Sequence, residues 1–268
     1  MKAFLRSLAA AFGMLLAIPV PGLKRIELDE FDMARSTAWY PLVGLVIGLL
    51  SAGLCAGLVR LDLSREIAAL LVAALPFLLT RFLHFDGLCD VFDAFLAAKD
   101  PQRTREIMHD SRVGAFALGV GAFYLFARIF LLFEWMRFEL SLLDFALFFG
   151  ISRMFVVVLA ACSTSAPDSK LGAAIAGRIP LAAVLTAIAT CLIACGVSGA
   201  LEAQGSDFPR VVLAFGIAVL CALVAILLLR AWSYKKIDGV NGDVLGAGIE
   251  ISELVLIATF LGVATWRI

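Results

Sequence analysis

The sequence predicts an all-α protein that crosses a membrane several times. Of its 268 residues, 62% are hydrophobic and only 16% are charged, whereas soluble domains contain about 25% charged residues. The mean hydropathy is +1.01, and apolar segments recur at the ~20-residue length that an α-helix needs to cross the hydrocarbon core. No linker or low-complexity tract divides the chain, so we expect residues 1–268 to form a single membrane-embedded domain.

The first apolar stretch, residues 3–18, is short for a span and is closed by Pro19 and Pro21. Arg6 lies near its start. A tilted span, a re-entrant segment and a helix lying in the membrane interface all fit this pattern, and the sequence does not decide among them. A charged loop follows at residues 19–41.

Seven longer apolar segments are predicted to span the bilayer, at residues 42–60, 66–83, 113–133, 141–162, 180–201, 210–231 and 244–264. Small residues recur within them, as close packing of helices in lipid requires. In the first segment these are Gly44, Gly48, Ser51, Gly53 and Gly57.

Seven spans place the connecting loops alternately on two sides of the membrane. One side receives loops 19–41, 84–112, 163–179 and 232–243, and the other receives loops 61–65, 134–140 and 202–209 with the C-terminus. The first side carries eleven Lys and Arg residues, namely Lys24, Arg25, Arg35, Lys99, Arg103, Arg105, Arg112, Lys170, Arg178, Lys235 and Lys236. The second carries five, namely Arg60, Arg65, Arg137, Arg210 and Arg267. The positive-inside rule therefore predicts a multi-pass protein of the cytoplasmic (inner) membrane with its active face in the cytoplasm.

Composition and motifs also argue against several function classes. The formal net charge is zero, so net attraction gives no support for a nucleic-acid partner. None of the six cysteines forms a CxxC pair, which argues against a zinc site or a disulfide framework. Neither GxxxxGK[ST] nor GxGxxG occurs in the chain, so a P-loop or a Rossmann site has no sequence support.

The longest polar interruption, residues 84–112, reads HFDGLCDVFDAFLAAKDPQRTREIMHDSR. Asp86, Asp90 and Asp93 are spaced i, i+4, i+7, so a helix over 86–98 would place their carboxylates along one face. Stacked like charges repel, and a bound divalent cation would reverse that cost because Mg²⁺ prefers hard oxygen ligands. A solvated polar helix face is the alternative interpretation.

The same loop continues with Glu106 and Asp110, whose i, i+4 spacing predicts a second pair of carboxylates on one helix face. Arg103, Arg105 and Arg112 surround this pair and supply planar cations suited to phosphate oxygens. Metal-binding carboxylates beside arginines are what phosphoryl transfer needs. Salt bridges along the helix are the alternative for the arginines. Both histidines of the chain, His84 and His109, lie in this loop as candidate proton carriers or phosphate contacts.

A second group of acids lies at the start of the last span, in GVNGDVLGAGIEISE at residues 239–253. Asp243 and Glu250 are i, i+7 on one face, and Glu250 and Glu253 lie within the predicted span, where ionised carboxylates are costly and often functional. Hydrogen-bonded packing carboxyls are the alternative. Arg128 and Arg153 also lie within spans, and each should pair with an acid or face a water-filled cavity.

These motifs resemble those of one family. The run His84-Phe85-Asp86-Gly87-Leu88-Cys89-Asp90-Val91-Phe92-Asp93 resembles the HxDGLxDxxDG signature of cobalamin synthase, the membrane-bound adenosylcobinamide-GDP ribazoletransferase. The segment at 106–114 is similar to its EIMxDSRxG signature, and Gly242 to Glu253 is similar to its C-terminal GDxLGAxxExxE segment. Pro19-Val20-Pro21 and residues 40–44 also resemble its early segments, while Ala94 stands where the family usually has Gly.

The resemblance implies that α-ribazole, or its 5′-phosphate, attacks the cobinamide-linked phosphorus of adenosylcobinamide-GDP and releases GMP, with Mg²⁺ as the metal. On this hypothesis Asp86, Asp90 and Asp93 are the main Mg²⁺ ligands. Glu106 is a further metal ligand and also one of the catalytic residues. Asp110, or His84 as the second choice, accepts the proton of the ribose hydroxyl. Substrate binding is assigned to Arg105, Arg112, Ser111, Asp243 and Glu250: the two arginines hold the diphosphate, and the last two acids complete a second metal site or the ribazole pocket.

Two other functions stay open at this stage. An ion-coupled transporter would use Glu250, Glu253, Arg128 and Arg153 as a relay. A lipid headgroup transferase of the CDP-alcohol phosphatidyltransferase kind would use paired acids resembling Asp90-x₂-Asp93 and Glu106-x₃-Asp110. The sequence also leaves open whether the chain forms a homo-oligomer or associates with other corrinoid-pathway enzymes.

Overall fold

The computed structural model describes residues 2–16, 30–110, 112–167, 169–202 and 208–266. Ser111 and the Pro19-Val20-Pro21 segment with Lys24 and Arg25 lie outside the described residues. The described ranges form α1 (Lys2–Leu15), α2 (Glu30–Ser36), α3 (Tyr40–Arg60), α4 (Arg65–Thr80), α5 (Leu83–Ala97), α6 (Pro101–Met108), α7 (Ala115–Arg137), α8 (Leu142–Ala161), α9 (Lys170–Ile175), α10 (Leu181–Glu202), α11 (Phe208–Ile237) and α12 (Gly242–Thr265).

Six stretches of helix are long and apolar enough to cross a membrane: Phe31–Arg60, Ala115–Arg137, Leu142–Ala161, Leu181–Leu201, Phe208–Ile237 and Gly242–Thr265. They coincide with six of the seven predicted spans. The prediction of an all-α, multi-pass membrane protein is confirmed.

The predicted second span, residues 66–83, differs from the structure. α4 is a helix of 16 residues that ends at Thr80, and α5 leaves it at an angle of 90°. The helix cannot continue because Arg81 and Phe82 adopt left-handed backbone conformations, with φ of 50° and 61°. At a rise of about 1.5 Å per residue, α4 alone is shorter than the ~30 Å hydrocarbon core. The chain therefore turns sideways before its acidic motif.

The N-terminal apolar stretch forms α1, a helix of 14 residues, which is too short to span the bilayer. It packs on α2 and α3. The Arg6 guanidinium lies 2.5 Å from the Asp32 carboxylate, and the Trp39 indole donates a hydrogen bond of 3.0 Å to the Ser7 hydroxyl. α1 is therefore a packed element of the bundle and not a separate span.

α8 and α12 form the centre of the bundle, and most of their side chains are buried. α3 packs closely on α8, where Gly44 and Gly48 lie against the backbone of Phe149 and Ala146. The outer helices α7, α10 and α11 expose large apolar side chains, as a surface facing lipid requires. Examples are Phe123, Phe126, Leu192, Ile193, Leu220 and Leu228.

Contacts between the described loops agree with the predicted assignment of loops to the two sides of the membrane. Ser165 forms a parallel backbone bridge with Val240, and the Lys236 ammonium donates to the carbonyl oxygen of Ala98. These contacts join loops 84–112, 163–179 and 232–243 into what we call the charged side. At the opposite side, the Arg65 guanidinium lies 3.5 Å from the Glu139 carboxylate, which joins loops 61–65 and 134–140.

Candidate active site

Helix α5 is amphipathic, and its three aspartates lie on one face as the spacing predicts. Asp86 is exposed and Asp90 and Asp93 are half-buried, whereas Leu88 and Val91 are fully buried on the opposite face. The helix begins directly after the break at Arg81–Phe82 and ends at Ala97. The break therefore sets the direction in which the acidic face points.

The aspartates of α5 line a cavity of about 270 Å³ on the charged side, which we call the acidic cavity. Its other lining residues are Cys89, Ile107, Met108, His109, Asp110, Arg112, Val113 and Ala117. The carboxylates of Asp86, Asp243 and Asp93 all act on Asp90 as repulsive charges. Four acids from two helices thus create a negative potential that favours a cation.

Glycine at position 114 allows Asp93 to reach the start of α7. A β-carbon at Gly114 would lie 2.1 Å from both carboxylate oxygens of Asp93. The Ala117 backbone N–H points at Asp93 Oδ1 over 3.4 Å, and a carboxylate is favoured at a helix N-terminus. Any larger residue at 114 would displace this aspartate from the cavity wall.

Asp110 and Arg112 form a two-point ion pair at the mouth of the acidic cavity. Arg112 Nε donates to Asp110 Oδ1 at 3.0 Å, and Arg112 Nη2 donates to Oδ2 at 2.6 Å. These hydrogen bonds lower the pKa of Asp110 to about 2. While the pair persists, Asp110 is a weak proton acceptor, because a base of low pKa has little affinity for a proton.

Glu106 and Arg105 do not join the acidic cavity. The prediction that Glu106 and Asp110 share a helix face is wrong, because α6 ends at Met108 and Asp110 follows in a turn. Glu106 is exposed and accepts a hydrogen bond of 2.8 Å from Arg103. Arg105 instead lies 3.1 Å from Asp238 across the charged side.

A second cavity of about 440 Å³, which we call the apolar cavity, adjoins the first. Met108 and His109 line both cavities and form the partition between them. Asp243 lines the apolar cavity and accepts a hydrogen bond of 2.9 Å from the Asn241 amide. α1, α5, α6, α9 and α12 all contribute to its walls.

Glu250 lines neither cavity and belongs to a buried ion network inside the bundle. Arg128 Nη2 lies 2.6 Å from Glu253 Oε1, and Arg128 Nη1 lies 3.9 Å from Glu250 Oε2. Arg153 donates to the other oxygen of Glu253. The expectation that both buried arginines pair with acids is confirmed. The charges that an ion-coupled transporter would use therefore neutralise one another.

Tyr124 completes this network, and its hydroxyl donates to the carboxylate of Glu250. Arg128 Nη1 lies 3.1 Å from the same hydroxyl oxygen. No motif singles out Tyr124; its spacing of four residues from Arg128 is the one sequence signal, since that spacing places both on one helix face.

Within the described ranges, no three His, Cys, Asp or Glu side chains converge closely enough to hold a metal ion by themselves. The aspartates of α5 follow one another along a helix instead of surrounding a point. The acidic cavity can therefore supply one or two carboxylates at a time to a cation.

Comparison with known proteins identifies the family. Residues 7–261 match the model of a family described as cobalamin-5-phosphate synthase. The chain belongs to the cobalamin-5-phosphate synthase family. The match includes the residues of both cavities, and the resemblance inferred from the motifs is confirmed.

Curated relatives extend over almost the whole chain. It is 32% identical to an adenosylcobinamide-GDP ribazoletransferase of Geotalea daltonii, over 97% of this chain and 98% of that protein. It is 35% identical to the protein of that name from Prosthecochloris aestuarii, over 94% and 96% of the two chains. No solved structure matches. The expectation that the chain is a cobalamin-synthesising transferase of the cobalamin-5-phosphate synthase family is confirmed.

Proposed function

We propose that the chain joins α-ribazole, or its 5′-phosphate, to adenosylcobinamide-GDP at the acidic cavity, with Mg²⁺ and with release of GMP. One observation carries the proposal: Asp86, Asp90 and Asp93 line a single cavity with the Asp110–Arg112 pair. The names of the relatives supply the two reactants, adenosylcobinamide-GDP and ribazole.

The donor set of the acidic cavity fits Mg²⁺. This ion retains several waters and is held in most proteins by one or two carboxylates together with substrate phosphates. The half-buried Asp90, with Asp86 on the same face, offers such carboxylates, and a cation there would relieve the repulsion among the acids. When bound, Mg²⁺ would neutralise charge on the diphosphate. Glu106 does not line the acidic cavity and lies outside this group.

The reaction balances without any further reactant. A ribose hydroxyl oxygen of α-ribazole forms a bond to the cobinamide-linked phosphorus, and the bond from that phosphorus to the bridging oxygen breaks. The bridging oxygen leaves with GMP, and the hydroxyl proton passes to a base of the protein. The chain's own part is to orient the two substrates and to hold that proton.

Arg112 and Asp110 would act in turn in this reaction. In the free protein the guanidinium is bound to the carboxylate, and a planar guanidinium also matches phosphate oxygens. When Arg112 turns to the diphosphate, Asp110 loses the hydrogen bonds that depress its pKa and becomes a better acceptor for the hydroxyl proton. His84, the second choice, is buried in the apolar cavity. Ser111, which stands between them in the sequence, is proposed as a further substrate contact.

We place this active face in the cytoplasm and the chain in the inner membrane. The support is the excess of Lys and Arg on the loops of the charged side, which is also the side that holds both cavities.

The test is turnover by the purified protein in detergent, supplied with adenosylcobinamide-GDP, Mg²⁺ and either α-ribazole or its 5′-phosphate. We expect stoichiometric GMP and the corresponding cobalamin, and loss of both when a chelator is added. Asp90→Asn should lose most of this activity, and its matched control is Asp62→Asn, an exposed acid on the opposite side whose positive φ of 59° asparagine also adopts. Absence of GMP from the wild type would overturn the proposal.

A further inference from the structure

The apolar cavity has an apolar floor and a polar rim. Its floor includes the buried side chains of Ile237, Leu245 and Ile249, and its rim includes the half-buried Arg105 and Asn241. A volume of about 440 Å³ lies within the ~300–1,000 Å³ typical of small-molecule sites. An apolar interior with few polar groups at defined positions is also typical of such sites.

His84 lies in the wall of this cavity, and no described residue uses the hydrogen-bonding capacity of its imidazole. The residue is 3% exposed, and neither Nδ1 nor Nε2 has a hydrogen-bond partner among the described residues. A buried imidazole offers one donor and one acceptor, and leaving both unmatched is unfavourable. The backbone of His84 is held in place, because it packs against Gly246 on α12.

We infer that the apolar cavity binds the base of α-ribazole and that the His84 imidazole, whose nitrogens are covered in the free protein, turns toward the cavity and donates a hydrogen bond to the unsubstituted ring nitrogen of the base. This inference rests on the proposed function. The base is a flat, methylated bicycle with one acceptor nitrogen, which matches an apolar floor with one imidazole. Guanine carries a carbonyl, an amino group and ring N–H groups, and the floor would leave most of them unpaired.

The position of the cavity also brings the two substrates together. With the base on the floor, the ribose lies toward the partition formed by Met108 and His109, which line both cavities. A ribose hydroxyl then faces the acidic cavity where the diphosphate binds. The apolar cavity thus positions the attacking group, and His84 is a positioning residue for it.

Direct binding tests this inference without turnover. Titration calorimetry of the detergent-purified protein with α-ribazole, and separately with dimethylbenzimidazole, is done without Mg²⁺ and without adenosylcobinamide-GDP. His84→Phe retains an aromatic ring but lacks both nitrogens, and we expect about tenfold weaker binding of both probes. The thermal midpoint should not fall, because the unmatched buried nitrogens are removed.

A second variant fills the cavity and tests the inference independently, in case His84→Phe does not fold. Leu171 is half-buried and lines the apolar cavity, so Leu171→Trp should weaken α-ribazole binding by more than about tenfold through overpacking. The matched control is Leu192→Trp on α10, where the side chain is 67% exposed and binding should not change.

The outcomes separate this inference from the proposed function. A raised KM for α-ribazole in both variants, with the KM for adenosylcobinamide-GDP unchanged, supports it. Unchanged α-ribazole binding in both variants, or displacement of α-ribazole by GMP in the absence of metal, overturns it even if the wild type turns over. Absence of turnover in the wild type overturns the proposed function, while the binding data still decide what the cavity holds.

Discussion

Gly87 on α5 lies directly against the backbone of Asp243 on α12. A β-carbon at position 87 would stand 2.8 Å from the carbonyl oxygen of Asp243 and 2.9 Å from its α-carbon. This contact joins two motifs that are far apart in the sequence and brings Asp243 close enough to act electrostatically on Asp90. The geometry of the acidic cavity therefore depends on the absence of a side chain at residue 87.

Replacing Gly87 by alanine should separate α5 from α12 and disturb the acidic cavity. We expect turnover to fall ~100-fold, the loss that follows a misplacement of about 1 Å, together with a lower thermal midpoint in detergent. Gly119→Ala on α7 is the matched control, since a β-carbon there meets nothing within 4 Å. Equal activity of the two variants would show that the contact is not needed.

The negative charge of Asp90 is repelled by three neighbouring carboxylates, those of Asp86, Asp93 and Asp243. Asp90→Asn should reduce turnover by ~10²–10³-fold, the usual cost of losing one electrostatic contact to the transition state. Because repulsion is relieved, the thermal midpoint without Mg²⁺ should not fall. Mg²⁺ should raise the midpoint of the wild type but not that of the variant. The control is again Asp62→Asn, and near-normal turnover of Asp90→Asn would remove the metal role.

The Asp110–Arg112 pair has a consequence for pH. The hydrogen bonds from Arg112 hold the pKa of Asp110 at about 2, so Arg112→Gln should move it up toward the ordinary value of ~3.9. Titration of isotope-labelled aspartate by NMR measures this shift, with Asp110→Asn identifying the resonance. The same variant should raise the KM for adenosylcobinamide-GDP. An unchanged pKa would mean that the pair does not persist in solution.

The buried ion network should be structural. Glu253 binds both Arg128 and Arg153, so Glu253→Gln leaves buried cations without a full partner and should cost ~3–5 kcal/mol of unfolding free energy. Glu139→Gln, which removes an exposed pair at 3.5 Å, should cost no more than about 1 kcal/mol. Thermal unfolding in detergent compares the two.

Glu250 offers a further comparison within the same network. Because it lines neither cavity, Glu250→Gln should lower stability while the KM for α-ribazole remains that of the wild type. Tyr124 donates to Glu250, and this hydrogen bond survives the change to an amide oxygen. A raised KM with unchanged stability would instead place Glu250 in the ribazole site.

Part of the site follows from the sequence because local spacing determines it. The i, i+4, i+7 spacing of Asp86, Asp90 and Asp93 predicts their common face, and alternation of apolar segments predicts most spans. The 90° break between α4 and α5 does not follow, because Arg81 and Phe82 adopt positive φ without being glycine or asparagine. The end of α6 at Met108 could not be predicted either, because no proline or glycine follows directly in the sequence.

Features that depend on contacts between distant segments could not be predicted. Residues from the first 16 and the last 30 positions meet at the apolar cavity, as Met14 and Ile249 do. The pairing of Arg128 with Glu253 needs the packing of α7 on α12. Sequence spacing carries no information on such contacts, since each depends on how whole helices dock.

The most direct test of a metal at the acidic cavity is a sulfur substitution on the substrate. Replacing a non-bridging oxygen on the cobinamide-linked phosphorus by sulfur should slow the Mg²⁺ reaction, because Mg²⁺ prefers oxygen. A softer ion such as Cd²⁺ binds sulfur better and should restore GMP release in the wild type but not in Asp90→Asn. Equal rates with either metal, or with a chelator, would contradict a metal held by these aspartates.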